Sequence, residues 1–401
     1  MSNKTPTHSR SFPCISEADK QAFVAYYNEH NILPVSQDIE DPDFKYRRSA
    51  LYNMLGIPLS SLRGRSIIEF GPGGGFNATA ITHHLPELYV FVDGSRKSIM
   101  SIVEKGRKGL FGNRRVEVIE SNIFDYSDTR CFNLVVIEGV VPCQTRPREM
   151  IRHAASFVAQ NGYLVTTTTA TSYLSEVCRR LFRPFIIQNW TSPEEQVKGA
   201  VEIFAPHLKS LRAKTRSTVD WVLDSIFHTW EKDAKVIFTL LDACKCLESE
   251  FDFYGSSPRF LIDDRFYKTI NKSALSSNEL VALQFPDLTL ALLDYRVGLI
   301  DILKSRHASQ LESLCMEAFS THLEIVNTNS YSKLDEFMDV LKDIIRILPK
   351  VSDSTSIALN DFIYNFPKFL QNNKEVDFPE FSQWWGRGQQ YVSFIRTQGY
   401  S

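Results

Sequence analysis

Two rhythms of apolar and polar positions run along this chain. Short, nearly continuous apolar runs stand at SIIEF (66–70), YVFVD (89–93), VEVIES (116–121), FNLVVIEG (132–139) and GYLVTTTT (162–169). Between them lie SRKSIMSIVEKGRKGLF and PREMIRHAASFVAQ, whose apolar residues recur at helical spacing. Strands alternating with helices of this length predict a parallel sheet covered on both faces, and near-continuous apolar strands are what such a sheet requires. Upstream, 18–56 reads as helical in two parts, FVAYYNEHNILPV and YRRSALYNMLG, the second ended by Gly56. A helix is expected near 172–182, after which the rhythm breaks. Residues 184–232 carry Pro, His and Trp and read as a helical insertion. VIFTLLDACKCLESE (236–250) reads as a helix, FDFYGSS (251–257) and RFLIDDRFYKTI (259–270) as strands, and about 276 to 370 as helices throughout. The expected organisation is a helical N-terminal segment (1–65), an α/β core (66–183), a helical insertion (184–233) that lids the cleft on its substrate side, the final strands of the core (234–275) and a helical C-terminal extension (276–401).

Composition narrows the chemistry. The 401 residues are 43% hydrophobic and 23% charged, an ordinary globular balance that excludes a largely disordered chain. Lys and Arg number 45 against 47 Asp and Glu, a formal charge of −2, which makes nucleic acid a poor partner. No run approaches the roughly 18 apolar residues of a membrane span. The start, MSNKTPTHSRSFPCISEADK, lacks the apolar stretch of a secretory signal. Seven cysteines are scattered, with only Cys244 and Cys246 close together, so neither a zinc site nor a disulfide framework is expected. Together these predict a protein of the reducing cytoplasm with no metal.

The most informative stretch is Ile68-Glu69-Phe70-Gly71-Pro72-Gly73-Gly74-Gly75-Phe76. A strand ends beside an acid, and a glycine-rich turn leads into a helix. Glycine lets a backbone turn sharply and approach a ligand closely. A nicotinamide-binding turn needs a third glycine where Phe76 stands, and a phosphate-binding P-loop needs a Gly-Lys-Ser/Thr ending that is absent. Asp93 closes the second strand, Asn122 and Ile123 follow the third, and Glu138 closes the fourth. All four positions are carboxyl ends of parallel strands, where ligands of open α/β sheets bind.

The pattern E-x-G-x-G-x-G, with these landmarks in this order, resembles the class I S-adenosylmethionine-dependent methyltransferases. The resemblance implies a Rossmann-like fold with a mostly parallel seven-stranded sheet, and S-adenosyl-L-methionine as cofactor. It implies that Glu69, Gly71, Pro72, Gly73 and Gly75 lie against the cofactor's amino-acid end and ribose. Asp93 would accept from the ribose hydroxyls, Asn122 and Ile123 would face the adenine, and Glu138 would stand at the cofactor–substrate junction. Further stretches, among them IEGVVPCQTRPREMIRHAASFVAQNGYLV, FAPHLKSL and FDFYGSSPRFLIDDRFYK, resemble a bacterial methyltransferase group linked to surface-polysaccharide biosynthesis. In that group a Trp usually precedes the Arg that here follows Asp264. A sugar or glycan precursor is then a candidate acceptor. The helices after 276 have no counterpart in the group and could serve a homo-oligomer.

Several residues carry a chemical and a plain reading side by side. Glu138 and His207 are the candidate catalytic residues: a carboxylate in a cleft can take a proton or orient an acceptor, and a histidine can act as base, although a lone His is more often structural. His153 is a weaker candidate, and His83-His84 reads as surface. Gln144 could face the acceptor or simply bond backbone. Asp220, Trp221 and Asp224 could grip a hydroxyl- or amine-bearing acceptor or form a solvated helix face. Arg259, Arg265 and Tyr267 could bind an anion, or pair with Asp263 or Asp264. Trp384-Trp385 reads as packing, and Cys143, near the cleft, has no visible histidine partner. The expected reaction is in-line methyl transfer to an oxygen or nitrogen of a small molecule. The alternatives are transfer of the cofactor's aminocarboxypropyl group and a non-catalytic partner subunit of the same fold.

Overall fold

The structure is a computed structural model that describes residues 16, 24–31, 33, 36–112, 115–211, 217–228, 237–271, 273–298, 308–348, 352–372 and 376–397. Seven strands build one sheet: β1 (Ser66–Phe70), β2 (Leu88–Asp93), β3 (Arg115–Glu120), β4 (Phe132–Ile137), β5 (Val158–Thr168), β6 (Phe251–Ser257) and β7 (Gln390–Arg396). Their order is β3-β2-β1-β4-β5-β7-β6, with β7 antiparallel to both its neighbours. This is the Rossmann-like fold of class I methyltransferases.

Period-two alternation divides the strands between two apolar layers. Ile67, Tyr89, Phe91, Leu134 and Val136 face the helices Pro42–Met54, Phe76–Thr82 and Arg96–Arg107. Ile68, Val90, Val92, Val135 and Ile137 face the other way, toward Pro147–Ala155, Leu240–Leu247 and Ser277–Leu288. Helix starts carry their own polar caps. Ser192 with Glu195, Thr239 with Asp242 and Ser276 with Glu279 each form a reciprocal capping box. Gly56 ends the helix Pro42–Met54 at φ +74, as its position suggested.

Three expectations are corrected. Residues 158–160 begin β5 instead of ending the preceding helix. RFLIDDRFYKTI (259–270) is not a strand: Asp263 takes the backbone N–H and guanidinium of Arg265, folding the chain into a local turn, and Tyr267–Thr269 is a single 3-10 turn. The sheet's last strand is QYVSFIR near the C-terminus, where Gln390, Val392 and Phe394 are buried on one face. The helices between 277 and 372 are therefore inserted between β6 and β7, not appended after the sheet.

A third apolar cluster explains where they go. The helices Leu174–Arg180, Phe182–Asn189 and Pro193–Lys209, inserted after β5, pack with Ala308–Thr328, Leu334–Ile347 and Asp353–Asn372. Phe182 meets the rings of Phe204, Phe366, Phe369 and Phe378 within 4.8–5.5 Å. Two insertions distant in sequence thus share one core. Arg179, fully buried, binds it to the segment before β7: its guanidinium donates to the carbonyl of Trp384 at 2.7 Å and lies 3.7 Å from the Trp385 ring. Among the described residues no helix is long and apolar enough to cross a membrane.

Candidate active site

The turn after β1 is dictated by close approach. Gly71, Gly73 and Gly75 have φ of +63, +55 and +73, a region glycine occupies without steric cost. A Cβ on Gly71 would come 2.4 Å from Val140 Cγ2. The N–H of Gly73 donates to Asp93 Oδ2 at 3.3 Å, and that of Ser95 donates to Oδ1 at 2.7 Å. Burial pushes the Asp93 carboxyl up to about 6, against the pull of these backbone donors. Glu69, one residue before the end of β1, accepts from the Tyr89 hydroxyl at 2.5 Å. Burial pushes it up to about 7, opposed by that hydrogen bond and assisted by the negative charge of Glu138. Asn122 opens the 3-10 turn Ile123–Asp125, its side-chain oxygen accepting from Phe124 N–H at 3.0 Å.

Glu138 follows β4 and is held by side chains from a helix far upstream. Arg48 Nη2 donates to both carboxylate oxygens, at 2.8 and 3.0 Å. The Tyr52 hydroxyl adds a third bond at 3.1 Å, and Asn77 Nδ2 lies at 3.5 Å. Burial alone would lower the Arg48 guanidinium, but the Glu138 carboxylate outweighs it and raises it above its ordinary value. Sequence reasoning missed Arg48, Tyr52 and Asn77. Arg48 and Tyr52 lie four apart on one helix face, a visible pairing, but nothing local tells which acid they meet.

These groups converge on one cavity of about 1090 Å³, at the carboxyl ends of β1 to β4. Glu69, Gly71, Pro72, Gly73, Asp93, Asn122, Ile123 and Glu138 all line it, as do Cys143, Gln144, Trp221 and Asp224. The opposite wall is helical: Leu208, Trp221 and Asp224 come from the insertion expected to cover the cleft, and Tyr173, Glu176, Arg180, Tyr295 and Arg296, which were not singled out, join it with Trp385 and Gln389 from the approach to β7 and Tyr391 from β7 itself. Trp385 faces the cavity, whereas Trp384 is buried, with its indole N–H on the Leu293 carbonyl at 2.8 Å.

Other candidates lie elsewhere. Gly75 sits behind the turn as the left-handed N-cap of the next helix. His207 does not line the cavity, which corrects its expected place as a base. It is 2% exposed, accepts from Arg179 Nε at 3.3 Å and lies against Phe204 and Phe381. Burial and the adjacent Arg179 charge hold its imidazole well below the ordinary range. His153 packs among Phe70, Phe124 and Phe157, behind the cavity. His83 is exposed and His84 half-buried, neither at the site. Asp220 folds back on Ser217, and the helix then passes into a π turn over Leu223–Phe227, so of the two carboxylates only Asp224 reaches the cavity. Arg265 is paired with Asp263 at 2.8 Å, Asp264 is exposed, Arg259 reaches the Asn53 carbonyl, and Tyr267 is 70% exposed.

The charges sort by end. Around the glycine turn the described lining residues are carboxylates and Asn77, and the Arg48 cation behind them is taken up by Glu138; the two cations among the described lining residues, Arg180 and Arg296, come from the helical wall. Asn77 Oδ1 is buried without a partner among the described residues. A diphosphate would find no unpaired counter-charge in the described lining there, whereas an ammonium and a ribose would find acceptors. Among the described residues no cluster of His, Cys, Asp and Glu could hold a metal ion.

No protein-family model matches the chain, and no curated protein matches it. Among solved structures it is similar to the N-methyltransferase NodS from Bradyrhizobium japonicum WM9 in complex with S-adenosyl-L-homocysteine, at 19% identity over 37% of this chain and 75% of that one, with a TM-score of 0.30. It is also similar to magnesium protoporphyrin IX methyltransferase from Synechocystis PCC 6803 with bound SAM, at 15% identity, 40% and 79% coverage and a TM-score of 0.30. A third, PKMT2 from Rickettsia typhi in complex with AdoHcy, gives 15% identity, 59% and 48% coverage and a TM-score of 0.38.

Proposed function

We propose that this chain is an S-adenosylmethionine-dependent methyltransferase that moves a methyl group to an oxygen or nitrogen of a small molecule. One observation carries the reading: Glu69, the Gly71–Gly73 turn, Asp93, Asn122 and Glu138 line one cavity, at an end whose described lining holds no unpaired cation. The residues fit the cofactor. Asp93 would take the ribose hydroxyls, Asn122 and Ile123 the adenine, and Asn77 Oδ1 with Glu69 the ammonium end. When bound, S-adenosylmethionine supplies an electrophilic methyl group on a sulfonium.

The protein's own contribution is positioning in a confined, largely apolar space. Glu138 has both oxygens engaged by Arg48 and Tyr52, which supports an orienting role at the junction. A cavity of about 1090 Å³ exceeds the roughly 300–1,000 Å³ of a single drug-sized ligand, leaving space for an acceptor beside the cofactor. The surface-polysaccharide resemblance makes sugars and nucleotide sugars the first acceptors to screen.

The test is calorimetric titration of S-adenosylmethionine and S-adenosylhomocysteine into the wild type and Asp93→Ala. Micromolar binding, weakened at least about tenfold by loss of the carboxylate's hydrogen bonds, is expected. Absence of binding to folded protein overturns the reading. Once an acceptor is found, release of S-adenosylhomocysteine or of methylthioadenosine separates methyl transfer from aminocarboxypropyl transfer.

A further inference from the structure

The described residues between 24 and 37, which begin with a short helix at 24–29, belong to none of the three apolar clusters. Yet Val24, Tyr27 and Gln37 line the cavity, and Tyr27 is 5% exposed. The segment touches both sides of the site. On the strand side, a Cβ on Gly94, the residue after Asp93, would come 3.2 Å from Val24 Cγ2, and one on Gly74 would come 3.1 Å from Leu33 Cδ2. Lys97 Nζ donates to the Asn31 carbonyl. On the helical side it meets the π turn Leu223–Phe227 and the residue that follows. The Tyr26 hydroxyl donates to the Leu223 carbonyl at 2.8 Å, the Tyr27 hydroxyl donates to Asp224, and the Tyr26 ring stacks on His228 at 4.2 Å. A segment held by a few polar and ring contacts, with no share in an apolar core, opens at a lower free energy than the whole domain.

We propose that this segment is a latched cover over the strand end of the cavity, and that the cofactor and its product pass in and out only when it opens. The proposal rests on the methyltransferase reading above. Val24 lies against Gly94, beside the carboxylate proposed for the ribose, so a nucleoside bound there sits under the cover. Val24 and Tyr27 line the cavity and bear on a ligand, whereas Tyr26 and Lys97 do not line it and only fasten the cover. Opening breaks the fastenings whether the cavity is filled or empty. Weakening them therefore raises the open fraction of both states by the same factor. Entry and exit then quicken together, and the affinity stays where it was.

Tyr26→Phe keeps the ring against His228 and removes one donor, and Lys97→Met removes the fastening on the other side. Each lost bond should raise the open fraction roughly threefold to fivefold, and the double variant should exceed either single one. Surface plasmon resonance of S-adenosylhomocysteine over the immobilised full chain should show association and dissociation rates rising together by those factors. The calorimetric affinity should stay within about twofold of the wild type. Unchanged rates, or a weaker affinity carried by the dissociation rate alone, overturn the proposal. Hydrogen exchange of the unliganded protein gives a second readout: the amides at 24–31 should exchange faster in both variants while those of β1 to β4 do not change. Exchange at 24–31 unaltered by both substitutions overturns the proposal as well. Failure of S-adenosylhomocysteine to bind the wild type counts against the cofactor reading; faster exchange at 24–31 then still upholds the latched cover, and unchanged exchange overturns it.

Discussion

Arg48→Met should be among the most damaging single changes that leave the apolar core untouched. The Arg48 and Glu138 side chains are 8% and 7% exposed, and one nitrogen serves both carboxylate oxygens. Removing the cation leaves a buried carboxylate with only the Tyr52 hydroxyl and the distant Asn77 amide, a loss of about 3–5 kcal/mol. Unfolding entropy of roughly 2.1 cal/mol/K per residue over 401 residues is about 0.8 kcal/mol/K, so the melting temperature should fall by about 4–6 °C. Differential scanning calorimetry at neutral pH, in low and high salt, reads this directly. High salt should change little, because a buried pair is poorly screened. Adding Glu138→Gln removes the stranded charge and should recover most of the loss. A shift below about 1 °C at neutral pH, or a double variant no better than the single one, would refute the reasoning.

Two further outcomes follow from the same end of the cavity. Burial raises Asp93 to about 6 from 3.8, so in the free protein its contribution to stability is present below about pH 4 and lost as the pH rises through about 6. Hydroxyl donors need the ionised form. S-adenosylhomocysteine affinity should therefore weaken as the pH drops through about 6, reaching about tenfold at about pH 5. Asp93→Asn should flatten that profile, and Glu69→Gln, which removes a group titrating near 7, should leave the limb below 6 intact. Gly71→Ala combines a φ of +63 with a Cβ 2.4 Å from Val140 Cγ2, a cost of at least about 2 kcal/mol by urea denaturation. Val140→Ala should return part of it; a loss under about 0.5 kcal/mol would count against the crowded turn.

The strands β1 to β4 were legible because each is a local apolar run and because the sheet buries both of their faces. The mistakes concern the far edge. RFLIDDRFYKTI has the apolar content of a strand, but Asp263 and Arg265 satisfy each other and the local backbone, and the place beside β5 belongs to another segment. QYVSFIR has only seven residues and sits more than a hundred residues past β6. Its identity as β7 depends on pairing with both β5 and β6, a long-range fact that local pattern does not encode.

The same distinction separates the two ends of the cavity. The strand end is built at the turns after β1 to β4, so a glycine spacing and three strand-end residues expose most of it. Its hidden elements are Asn77 and the two partners of Glu138, Arg48 and Tyr52, 90 and 86 residues away in sequence. The helical end is assembled from two helical insertions and the approach to β7, brought together by the aromatic core around Phe182 and by Arg179. Nothing in SEVCRR or WWGRGQQY announces that Glu176, Arg180, Trp385 and Gln389 face one another. They do so because the insertions share a core that neither could bury alone. Trp385 is the position where core and cavity meet: one face of its environment is the Arg179 guanidinium at 3.7 Å, the other is the cavity.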